Sequence, residues 1–186
     1  TWSISDETWI NDTTINLNGD LEINNGGVLI LSNCVVRFQC TTDLEFGMWV
    51  KNGGYLRAEN GTVFTDHTTD TDDNSGSDHK WWLYVDSGAE VHFHNTTIEE
   101  AGDYGDKYQL YLYGDTMEFK DSVIQDCHYG VYQDGSGRLE MRNTTIRNIY
   151  DTDYAYGLYL YTDDFYFQDV TIDNVTAEDS WGGTWG

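Results

Sequence analysis

There is no proline anywhere in this chain, and only nine lysines and arginines stand against 33 aspartates and glutamates. Without proline, turns fall to asparagine, aspartate and the 19 glycines, residues that tolerate the backbone conformations turns require. The shortage of cations leaves a formal net charge of −24. That balance excludes nucleic acid as a partner, because phosphate binding rests on clustered lysine and arginine. It favours solubility, multivalent cations or high salt, which screens self-repulsion. No apolar run approaches the roughly 18 residues that a membrane span needs. Cysteine is scarce as well. Cys34, Cys40 and Cys127 cannot all pair within one chain, and none has zinc spacing. Either Cys34 bridges Cys40 and leaves an odd thiol, or all three are small buried hydrophobes, the reading favoured here. The sequence begins at Thr1 rather than at methionine, which suggests a secreted product whose signal peptide has been removed.

What is present points to strands. Fourteen Tyr, seven Trp and seven Phe, with abundant Thr, fit pleated surfaces and argue against disorder. At 186 residues the chain is one domain by length, large enough for a real core.

A repeat organises the chain. His94–Glu100 reads HNTTIEE and Arg142–Asn148 reads RNTTIRN. Aligning Asn95 with Asn143 draws in four further segments, anchored at Asn33, Asn60, Asp121 and Asp169. Two residues before each anchor stand Leu31, Ala58, Phe93, Phe119, Met141 and Phe167; four before stand Leu29, Leu56, Val91, Met117, Leu139 and Phe165. Three after stand Val36, Val63, Ile98, Ile124, Ile146 and Ile172. The period of two within each repeat marks strands with one buried face. A further strand lies upstream of each anchor, at 21–23, 48–50, 83–85, 110–112, 131–133 and 158–160, separated from it by glycine- or aspartate-containing turns. Anchor spacings of 27, 35, 26, 22 and 26 residues are those of units that stack on neighbours to bury an apolar face.

This rhythm resembles the right-handed parallel β-helix, the pectate-lyase-like repeat family found in secreted and archaeal cell-surface proteins. The resemblance implies an all-β, single-domain solenoid of about six coils over residues 15–176. Residues 1–14 would form an N-terminal capping or strand segment, and 177–186 a Trp/Gly-rich tail. It also implies a ladder of stacked anchors, Asn33, Asn60, Asn95, Asp121, Asn143 and Asp169, each pointing inward by parity with the preceding strand. Asn60, Asn95 and Asn143 are formal glycosylation sequons, as are Asn11 and Asn174. Asn11 and Asn174 lie off the column and are the first glycan candidates, with the three anchors after them.

Alternation puts Glu22, Trp49, Tyr84, Tyr111, Tyr132 and Tyr159 on the outer face of the upstream strands, widened by Trp81, Trp82, Tyr113 and Tyr161. Such a stripe serves coil-to-coil stacking, a protein interface or a sugar track; an interface between copies is favoured. On the next outer face, Glu118 and Glu140 are neighbours that suit acid–base work. There Glu90, His92 and His94 make a two-histidine, one-carboxylate set. Both compete with a plain charge ladder, since Lys120, Arg138 and Arg142 share the face. Asp70, Asp72, Asn74 and Asp78 alternate as in calcium loops, although Gly76 falls one place late for that pattern, so an acidic surface loop is an equal reading. The motifs NTD, GHG and RIK of polygalacturonase-like β-helix enzymes are absent, and a proline-containing arginine motif like that of pectate lyases cannot exist here. Glycine-flanked Trp181 and Trp185 look like adhesive groups. The expectation is a non-enzymatic, secreted, acidic glycoprotein of the cell surface. It needs no cofactor, calcium aside, and assembles with copies of itself into a filament, sheath or surface layer. The alternative is a polysaccharide-binding or polysaccharide-degrading module.

Overall fold

A computed structural model describes residues 1–42, 44–66, 80–102, 110–151 and 155–177. The described residues contain no helix, so none is long and apolar enough to cross a membrane. In chain order the strands are β1 (Trp2–Ile4), β2 (Glu7–Asn11), β3 (Thr14–Leu17), β4 (Leu21–Ile23), β5 (Val28–Ser32), β6 (Val35–Phe38), β7 (Gly47–Val50), β8 (Tyr55–Asp66), β9 (Trp82–Val85) and β10 (Glu90–Glu99). There follow β11 (Leu110–Leu112), β12 (Thr116–Lys120), β13 (Val123–Cys127), β14 (Val131–Gln133), β15 (Arg138–Arg142), β16 (Thr145–Asp151), β17 (Leu158–Leu160), β18 (Phe165–Gln168) and β19 (Thr171–Ala177).

The chain is all-β and every strand pair is parallel. One sheet runs β1-β4-β7-β9-β11-β14-β17, and the remaining twelve strands form a second sheet. The chain thus alternates between the sheets, and each traverse is one pass. In most passes a corner splits the second sheet into two strands, as in β12 and β13. The long strands β8 and β10 run through the corner and join its two halves.

Register follows the apolar columns. Leu29, Leu56, Val91, Met117, Leu139 and Phe165 are successive partners, as are Leu31, Ala58, Phe93, Phe119, Met141 and Phe167. The third column differs by one residue. Phe64, not Val63, pairs with Val36 and Ile98, and Phe64 is fully buried. The cause is Gly61, at φ 85° beside Asn60 at φ 57°. The two residues together oppose Asn95, and the register shifts there, as in a bulge. Burying such columns contributes about 1.5–3 kcal/mol per large apolar side chain, offset by the entropy of ordering the chain.

The N-terminal segment is built of strands that join both sheets. β1 pairs with β4, β2 with β5 and β3 with β6, so residues 2–17 lie in register with those that follow. Asp12 takes the corner position of this first pass, at φ 51°. Trp81, expected outside, is fully buried and stacks on Phe38 at 4.7 Å. Its indole N–H donates to the Glu99 carbonyl at 2.8 Å. Cys34, Cys40 and Cys127 are buried free thiols, and burial pushes Cys127 up to about 12.

Candidate functional site

The corner residues take like positions in successive passes, but they face outward. Asn33, Asn60, Asn95, Asp121, Asn143 and Asp169 are all exposed and all lie in the left-handed region, with φ between 47° and 57°. Parity along an extended strand predicts an inward side chain. A left-handed residue breaks that parity and swings its side chain out, and asparagine and aspartate adopt this conformation most readily after glycine. The Asn143 amide donates to Asp121 at 2.7 Å, Asn33 to Asp12 at 2.8 Å and Asn60 to the Ser32 hydroxyl at 2.9 Å.

The residue after the corner turns inward instead: Cys34, Thr96, Ser122 and Thr144, with Thr62 taking the place after the extra glycine. The Thr144 hydroxyl lies 3.0 Å from the Arg142 carbonyl of its own pass and 3.2 Å from Phe119 of the neighbouring one. Ser122 does the same with Lys120 and Phe93, and Thr96 with His94 and Ala58. The recurrent Asn-Thr-Thr-Ile is therefore a corner amide, an inner hydroxyl, an outward strand residue and a core isoleucine.

A second corner recurs five residues after the first. Glu100, Asp126, Asn148 and Asn174 also have positive φ; Asn148 donates to Asp126 at 3.0 Å and Asn174 to Asn148 at 2.9 Å. Asn174 thus belongs to a ladder of its own, whereas Asn11 is an exposed strand residue outside both. At this corner burial pushes the Glu100 carboxyl up to about 7, with the charge of Asp66 adding to the rise. The Thr65 hydroxyl donates to Glu100 at 2.6 Å.

The outer aromatic stripe is in register from Glu22 through Trp49, Tyr84, Tyr111, Tyr132 and Tyr159. The four tyrosines stack face to face, with centroids 5.1, 5.0 and 4.9 Å apart and planes within 20°. The Tyr111 hydroxyl donates to Asp134 at 3.1 Å. Each inner ring thus spends both faces on its neighbours and offers solvent only an edge. At the other end Lys51 pairs with Glu22 at 2.7 Å and lies over Trp49.

On the neighbouring face Glu118 is the register partner of both His92 and Glu140. Arg138 and Arg142 both bond Glu140, so the carboxylate pair is divided. Glu118 instead meets His92 Nδ1 at 3.0 Å and His94 Nε2 at 2.6 Å through one oxygen, Oε2. Burial raises the Glu118 carboxyl, but the two imidazoles outweigh it and hold the group below its ordinary range. Glu90 stands further off, 3.7 Å from His92 Nε2, so the carboxylate facing both rings is Glu118 rather than Glu90.

Asp70, Asp72, Asn74, Asp78, Trp181 and Trp185 lie outside the described residues. No family model, curated protein or solved structure matches this chain.

Proposed function

We propose that this chain is a structural building block, a right-handed parallel β-helix that joins copies of itself end to end at an extracellular surface. Two sheets visited in strict alternation, with like positions in register, support continuous winding. The right hand follows from the strong preference of parallel crossovers for it.

The observation that carries the reading is the last pass. Its side chains continue columns that are buried in earlier passes, yet Phe165 is 49% exposed and Phe167, Ile172 and Val175 are only partly covered. Among the described residues nothing pairs with the outer edges of β17, β18 and β19. The first pass offers the opposite edge of the same parallel ladders, with Trp9 61% exposed. Open edges template further strands. A head-to-tail contact that does not close gives a filament. The acidic exterior suits a saline or calcium-containing medium, and Asn11 is the sequon best placed to carry a glycan.

A second reading, polysaccharide binding, draws on an open depression of about 690 Å³ beside Tyr113, Asp134, Tyr161 and Asp163. It takes no support from the inner tyrosines Tyr111 and Tyr132, both of whose ring faces are occupied, because sugar stacking needs a free face.

Sedimentation and negative-stain microscopy across protein concentrations test the proposal. Assembly that grows with concentration, and that Phe167→Lys in the last pass abolishes, is expected. Monomers at every concentration and salt level overturn it. Glycan binding lost in Tyr161→Ala favours the second reading.

A further inference from the structure

We propose that His92, His94 and Glu118 form a binding site for a borderline divalent cation of the Zn²⁺ class. The two histidines stand at alternate positions of β10 and so share its outer face. Glu118 reaches them from β12, directly opposite His92. One atom from each residue, two imidazole nitrogens and a carboxylate oxygen, lies within 4.8 Å of the others. Ligand atoms about 2.0–2.2 Å from a tetrahedral zinc stand a little over 3 Å apart. The two existing contacts of 3.0 and 2.6 Å reach that spacing by opening less than about 1 Å.

Three features distinguish this cluster from the surrounding charge ladder. The nearby guanidinium groups are engaged elsewhere: Arg57 bonds Glu59, while Arg138 and Arg142 bond Glu140. Glu118 thus keeps its carboxylate for the imidazoles. The second nitrogen of His92 faces Glu90 at 3.7 Å, beyond hydrogen-bond distance but near enough that a small rotation of the exposed Glu90 side chain lets it orient a ligating histidine. The Tyr55 ring packs on His92 at 5.2 Å and fixes the imidazole plane. Side-chain exposures of 18%, 28% and 24% for His92, His94 and Glu118 leave the ligand atoms shielded yet reachable. Two nitrogens and one oxygen select Zn²⁺, Co²⁺, Ni²⁺ or Cu²⁺ over the hard ions Ca²⁺ and Mg²⁺. Three protein ligands leave a fourth position for water or an incoming carboxylate. The bound ion would tie two neighbouring passes together across their outer face.

The full chain, stripped by chelator, is titrated with Zn²⁺ by calorimetry in excess Ca²⁺, which occupies carboxylate-only sites. One saturable Zn²⁺ site is expected, lost in the His92→Gln/His94→Gln double variant. Glu118→Gln and Glu90→Gln should each weaken it by about tenfold or more. Co²⁺ added to the unaltered chain should shift two imidazole NMR signals, a readout that needs no variant to fold. Absence of saturable Zn²⁺ binding, unchanged binding in the folded double variant, or no shifted imidazole signal overturns the proposal.

Discussion

The side-chain amide of Asn143 donates to the carboxylate of Asp121, 2.7 Å away on the neighbouring pass, and both residues are left-handed, at φ 47° and 52°. Two effects are joined in that contact, a backbone preference and a hydrogen bond, and substitutions separate them. Asn143→Ala keeps the strained backbone and loses the bond, at a cost of about 1–2 kcal/mol for the conformation and about 0.5–1.5 kcal/mol for the bond. Asn143→Gly removes the bond but relaxes the backbone and should cost distinctly less. Urea denaturation measures both; equal losses would mean that the conformation is not what selects asparagine here.

The inner hydroxyls make a separate prediction. Thr144 is fully buried and contacts the Arg142 and Phe119 carbonyls. Thr144→Val preserves shape and removes the hydroxyl's bonds, while the Arg142 carbonyl keeps the Asp121 N–H, so a loss of about 0.5–1.5 kcal/mol is expected. Thr145→Val, one residue on and half exposed, should stay within about 0.5 kcal/mol. The same denaturation experiment compares them.

Tyr132 stacks against both Tyr111 and Tyr159. Each such pair is worth about 0.5–1.5 kcal/mol beyond area burial, so Tyr132→Leu should cost about 1–3 kcal/mol. Tyr161→Leu, at 72% exposure, should cost almost nothing in stability. A Tyr111/Tyr132 double-mutant cycle with no coupling energy would contradict the stacking assignment.

Glu100 sets a pH dependence whose sign is fixed. Its carboxyl is raised from an ordinary 4.5 to about 7 in the folded chain, so between those values the folded state holds a proton that the unfolded chain has released. Its contribution is full below about 4.5 and is lost as pH rises through about 7. Glu118, held below its ordinary range by two histidines, acts oppositely, and its contribution is lost as pH falls below that range. Urea midpoints measured from about pH 5 to pH 8 should decline in the unaltered chain and decline less in Glu100→Gln. Identical slopes would remove Glu100 as the cause.

Salt should govern end-to-end association. Both terminal passes carry acids, including Asp6, Glu7 and Asp12 at one end and Asp163, Asp164 and Asp169 at the other, so contact brings like charges together. Sedimentation should show larger species as ionic strength rises and the Debye length shortens. Dissociation by salt would point to attractive charge pairs instead.

The columns were legible in the sequence because a half-buried strand must alternate, and the register of Leu29, Leu56 and Val91 follows directly. The direction of the corner residues was not, since parity counting assumes extended backbone and the left-handed residue interrupts it. Val63 falls in the apolar column of the sequence but not in that of the fold for a related reason: Asn60-Gly61 adds a residue to the corner without breaking the ladder. The second corner did leave a signal, an acid or amide five residues after the anchor at Asp126, Asn148 and Asn174. Counting back three residues from Asn95 and Asp121 puts His92 and Glu118 in one column. It could not reveal that Arg138 and Arg142 would close on Glu140 and leave Glu118 to the histidines, because that choice depends on side-chain reach across strands.

Gly61 shows how such a chain tolerates drift in its length. Its added residue is absorbed at one vertex, and the strands on either side keep their partners. A deletion or duplication inside a strand would turn a whole buried row to water, whereas at a vertex it requires only an amino acid without a side chain.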